Sequence, residues 1–109
     1  MILKPTVAQK EAFSRAAELI AQQAVGLRLT GSTKTQAALA QYAETLRRLA
    51  AGPAADFDEE EKKQVENVTF VLEGLRDGLL TTEFRERANA IDQDIRTLND
   101  VIATYNATP

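Results

Sequence analysis

Residues 84–105 read FRERANAIDQDIRTLNDVIATY. Phe84, Ala88, Ile91, Ile95, Leu98, Ile102 and Tyr105 recur at steps of three and four. At 100° per residue these positions share one stripe of an α-helix, and a strand, with its period of two, does not produce them. The spacing predicts a helix from about Thr81 or Thr82 to Tyr105, with Asp92, Asp94 and Asp100 off its apolar stripe.

Working back along the chain, the step from Leu79 to Phe84 is five, which breaks the phase. With Gly78 and two threonines nearby, this predicts a turn. The preceding helix begins after Asp58, a good N-cap with Glu61 three residues later, and its first turn is rich in carboxylates that suit the positive end of a helix dipole. Val65, Val68, Leu72, Leu75 and Leu79 form its stripe, and Gly78 is expected to end it. A further helix spans about Lys34 to Ala51 on the stripe Leu39, Tyr42, Ala43, Leu46, Leu49 and Ala50, and Gly52-Pro53 stops it. The first runs from about Thr6 to Leu29 on Phe13, Ala16, Ala17, Ile20, Ala24 and Leu27.

Four amphipathic segments with short connections pack as antiparallel neighbours. The expected fold is all-α: one helical domain over residues 1–109, an up-down-up-down four-helix bundle. The alternative is a pair of helical hairpins that completes its bundle by dimerisation. Composition agrees: 44% apolar and 27% charged residues describe a globular chain. No stretch is long enough to cross a bilayer, the longest uncharged run lying around Leu19–Leu27. The N-terminus has no signal-peptide pattern, so the expected location is cytoplasmic.

The connection GLRLTGSTKT, residues 26–35, approaches the phosphate-binding pattern GxxxxGK[ST]. In that loop the lysine directly follows the second glycine and the loop follows a β-strand. Here Ser32 and Thr33 separate Gly31 from Lys34, and the preceding segment is helical. The residues are better read as punctuation: Gly31 closes the first helix, and Thr33 with Gln36 forms a capping box for the second.

Catalytic chemistry is poorly provided for. The chain has no histidine and no cysteine, which removes the usual general base, thiolate nucleophiles and the commonest soft metal ligands. Ser14 and Ser32 are the only serines. The acidic run Asp56–Glu61 lacks the spacing and central glycine of a calcium loop. No cofactor, metal site or enzymatic activity is expected.

The net charge of −3 is unevenly spread. Residues 1–52 carry seven Lys/Arg against three Glu, and residues 53–109 carry six against thirteen Asp/Glu. The basic half supports one reading, a nucleic-acid-associated regulator using Lys34, Arg47 and Arg48, although no recognition motif accompanies them. The favoured reading is protein–protein contact. Phe70 projects about 180° from its helix's apolar stripe, and Gly74 leaves space one turn on. Leu29, Leu80 and Val101 also lie off their stripes and extend the candidate interface. The expected role is a non-enzymatic interaction module. It would be an adaptor, a chaperone, a regulator antagonist or a subunit of a larger assembly such as a phage particle, and its partner would be another protein or a second copy of itself.

Overall fold

A computed structural model of the chain describes residues 2–27, 33–80 and 83–108. It contains four helices: α1 (Val7–Leu27), α2 (Thr33–Ala50), α3 (Glu59–Leu80) and α4 (Arg85–Ala107). They form a compact antiparallel four-helix bundle 40 Å in its longest dimension, close to the ~35 Å that the 23 residues of α4 span at 1.5 Å each. The most extensive pairings are α1 with α2 and α3 with α4, so the bundle is built from two hairpins.

The first hairpin is held by small residues. Ala12, Ala16 and Ala17 of α1 and Ala43 of α2 are buried, and their short side chains let the backbones approach closely around Phe13, Ile20, Leu46 and Leu49. Val65, Val68 and Leu72 of α3 and Ala88, Ile91, Ile95 and Leu98 of α4 complete the core. Every fully buried Leu, Ile or Phe contributes about 1.5–3 kcal/mol relative to exposure.

The helix starts are satisfied by side chains. Gln9 N–H donates to Thr6 Oγ1 at 3.1 Å and Thr6 N–H donates to Gln9 Oε1 at 2.9 Å, a reciprocal capping box at α1. Glu61 N–H donates to Asp58 Oδ1 at 2.9 Å at α3, as its sequence predicts.

Several boundaries differ from the sequence expectation. Thr33 is the first residue of α2 rather than its cap, and the expected closure at Gly31 lies outside the described residues. α3 runs through Gly78 to Leu80, because Gly78 lacks the positive φ that a left-handed glycine cap requires. α4 begins only at Arg85, with Phe84 in the capping position and half-exposed beyond the packed part of the helix. The buried face of α4 is also wider than its apolar stripe. Asp94 and Val101, both expected on the outside, are buried, because α4 packs against α1 as well as α3.

The far end of the bundle is closed by the connection between the hairpins. Leu3 N–H donates to Ala54 C=O and Ala54 N–H to Leu3 C=O, both at 2.8 Å, and both side chains are buried. Phe57 is fully buried, edge-on to Tyr105 with ring centroids 5.6 Å apart. Lys62 places its ammonium 5.7 Å from the Tyr105 ring centre and bridges Glu59 and Glu66. The chain enters this connection through Gly52, whose φ of 140° is a conformation that side chains rarely adopt.

Two glycine substitutions should therefore move stability in opposite directions. Gly52→Ala should destabilise the fold by about 1–3 kcal/mol through backbone strain. Gly74→Ala adds a Cβ with nothing within 4 Å in mid-helix and should stabilise it by about 0.5–1 kcal/mol. Urea unfolding of both variants beside the parent checks the sign and the size.

Candidate functional site: the outer face of α3

α3 has two faces of opposite character. Val65, Val68, Thr69 and Leu72 point inward. Half a turn away, Lys63, Asn67, Phe70, Gly74 and Asp77 are all exposed. At 100° per residue these five fall within about 80° of arc, so they form one outward stripe. Phe70 is 70% exposed, the largest aromatic surface that the bundle presents to solvent among the described residues. Leaving a phenylalanine in water forfeits most of the ~1.5–3 kcal/mol that its burial contributes.

Gly74 sits one turn from Phe70, and open space lies where its side chain would be. Beside it runs a shallow groove of about 330 Å³. Gly74, Leu75, Gly78 and Leu79 of α3, Leu19 and Gln22 of α1, and Arg87 and Ile91 of α4 line this groove. Phe70 is not part of the lining, so in its own chain the ring and the groove are neighbours rather than partners.

The charges at the two ends of the stripe are arranged differently. Asp77 accepts from Arg76 Nε at 3.0 Å while its side chain stays 63% exposed. Arg76 also donates to Asp92 at 2.7 Å and Arg96 donates to the same carboxylate at 3.0 Å, which fixes α3 against α4. The Arg76 guanidinium is driven further above its ordinary pKa, first by its hydrogen bond to Asp92 and then by that to Asp77. Lys63 has no carboxylate within salt-bridge range among the described residues.

The other predicted site residues are dispersed. Leu80 is exposed but ends α3 about 15 Å along the axis from Phe70 and about 80° around it, off the stripe. Val101 is fully buried in the bundle and presents no surface, which corrects its assignment as an interface residue. Leu29 lies outside the described residues. Lys34 and Arg47 occupy opposite ends of α2, about 20 Å apart, and Arg48 is engaged by Glu61 of α3, so the three cations do not form a patch. Among the described residues no three carboxylates are grouped as metal ligands, and no helix is long and apolar enough to cross a membrane. The chain matches no family model, no curated protein and no solved structure.

A polar contact that sequence reading missed lies on the other side of the bundle. Arg15 of α1 donates from Nη2 to Asp94 Oδ1 at 2.8 Å and from Nε to Oδ2 at 3.0 Å, a two-pronged pair with only 4% of Asp94 exposed. The hydrogen bond to Asp94 raises the Arg15 pKa. The pair lines a second shallow groove between α1 and α4 but satisfies itself there, which gives it a structural role. Its signal in the sequence is a lone carboxylate three residues after Ile91 and four before Leu98, on the core side of α4.

Removing the arginine should cost more than removing the acid. Arg15→Ala strands a buried carboxylate and should destabilise by about 3 kcal/mol, the low end for breaking a buried pair because Arg15 itself is 55% exposed and water reaches the site. Asp94→Ala leaves a guanidinium that water can solvate and should cost about 1–2 kcal/mol. Chemical denaturation of the two single variants decides the order.

Proposed function

We propose that this chain is a non-enzymatic protein–protein interaction module whose contact surface is the outer stripe of α3. The observation that carries the reading is Phe70, 70% exposed in mid-helix beside an uncovered Gly74. An isolated exposed apolar residue is ordinary. An aromatic ring next to a side-chain-free depression is the form that interface anchors take, because the ring brings large area at low entropic cost. The polar residues around it, Lys63, Asn67 and Asp77, supply a rim that fixes orientation. The partner is a protein surface, the setting is intracellular, and the chain acts as an adaptor, chaperone, antagonist or assembly subunit by occupying that surface.

Direct nucleic-acid binding through the basic N-terminal half is the weaker reading. Lys34 and Arg47 lie at opposite ends of α2, and Arg48 is already paired with Glu61.

A photoreactive phenylalanine analogue at position 70 tests the proposal in the cell of origin, with the same probe at exposed Gln41 of α2 as the control. The expected result is a discrete crosslink to a protein chain from position 70 and none from position 41. No crosslink from 70, or equal crosslinking from both positions, would overturn the reading.

A further inference from the structure

The outer stripe of α3 is complementary to itself when reversed. Read in order it is Lys63, Asn67, Phe70, Gly74, Asp77: a cation, an amide, a ring, a gap and an anion. We infer that this face binds a second copy of the same chain, with the two α3 helices antiparallel about a two-fold axis that passes near Leu72. This inference rests on the interaction surface proposed above and names its partner.

Geometry and charge both select that arrangement. An axis at residue 72 sets Phe70 opposite Gly74 of the second copy, and by symmetry Gly74 opposite its Phe70. Each ring then fills the open space at a glycine and reaches the adjoining groove, whose apolar lining includes Leu19, Leu75 and Leu79. The same axis sets Asn67 opposite the partner's Asp77, where the amide can donate to the carboxylate. Lys63, one turn further out, has the reach to pair with that same Asp77. A parallel arrangement would put ring against ring, gap against gap and like charge against like charge. Two-fold interfaces are isologous, and a stripe whose halves differ in sign and in volume meets that requirement only in the antiparallel sense.

The charges of the stripe also run against the helix that carries them. Asp77 lies in the last turn of α3, where the negative end of the dipole disfavours an anion, and that turn holds no basic residue. Arg76 of the same helix meets the carboxylate, but the Asp77 side chain stays 63% exposed. That exposed side is accounted for when it faces Lys63 of a second copy.

Light scattering behind a sizing column, over a wide concentration range, tests the inference with four variants of the full chain. The parent should show a mass twice that of the chain at high concentration. Lys63→Glu and Asp77→Lys should each raise the dimer dissociation constant about tenfold or more by setting like charges together. The double variant should restore the dimer, because the exchange preserves the complementarity. Gly74→Gln should give a monomer of undiminished helicity, since a Cβ at this position has nothing within 4 Å in its own chain. Both charge reversals agree better with the α3 dipole than the native residues do, but Asp77→Lys also gives up the pair with Arg76, so loss of the dimer counts only where circular dichroism shows the helicity of the parent. A parent that stays monomeric throughout, or a dimer indifferent to the charge reversals and to Gly74→Gln, would overturn the inference. A selective crosslink from position 70 would then fall on a different protein, which leaves the interaction surface standing; its absence, or equal crosslinking from position 41, removes both.

Discussion

The bundle depends on how its two hairpins are joined, and the join at α1–α4 turns on one desolvated carboxylate. Within each hairpin, sequential helices bury apolar stripes with a short connection to close. Between hairpins the packing is less extensive, and directional contacts set the register. Asp94 is almost wholly buried on α4, and its two oxygens are met by Arg15 of α1 in the paired geometry that guanidinium and carboxylate favour. A buried pair of this kind adds little net stability compared with an apolar contact of the same shape. It does penalise every arrangement that separates the two groups. Sliding or rotating α4 against α1 would leave a buried charge, so the pair holds the register of the bundle.

The second join, α2 to α3, is made in another way. Tyr42 accepts from Asn67 at 3.1 Å, Thr45 donates to Gln64 at 2.6 Å, and Arg48 pairs with Glu61. The positions move by three along α2 and by three in the opposite sense along α3, one rung for each turn of an antiparallel pair. The rungs stop at Asn67. Beyond them, toward the C-terminal end of α3, α1 and α4 rather than α2 line the groove beside Gly74 and Gly78. The last rung is thus made by an outer-stripe residue, and beyond it Phe70 stays exposed and the groove beside Gly74 lies open.

Periodicity made the four helices, their order and most of the core legible, because burial of one face is the constraint that writes a period of 3.6 into a sequence. It left out what periodicity does not encode. Leu3, Ala54 and Phe57 are buried although they belong to no helix, and they enter the core through backbone pairing and a ring contact that only the folded chain brings together. The capping box expected at Thr33 and Gln36 has an observed counterpart at Thr6 and Gln9, since the same four-residue signal occurs at both helix starts. Asp94 and Val101 were placed outside by a rule that treats polar residues as solvent-facing and draws the stripe too narrow. α4 has two neighbouring helices to cover, and a charged side chain can occupy a core position when another helix delivers its counter-ion. The outward position of Phe70 was legible for the converse reason: a helix with five consistent inward residues leaves no choice for the sixth.

The two faces of α3 answer to different constraints. The inner face is fixed by the core, where Val65, Val68 and Leu72 are replaceable only by residues of similar volume. On the outer face Asn67 and Asp77 meet Tyr42 and Arg76 of their own chain, while Phe70 stays 70% exposed and Gly74 has open space beside it. Helix propensity alone would replace Gly74 with alanine, dipole electrostatics would exchange Asp77 for a cation, and solvation would replace Phe70 with a polar residue. Each native choice carries a small local cost, and the three costs fall on one stripe of one helix. Three departures from what the isolated bundle prefers, collected on one face and complementary in reverse, are what the proposed interaction surface would account for.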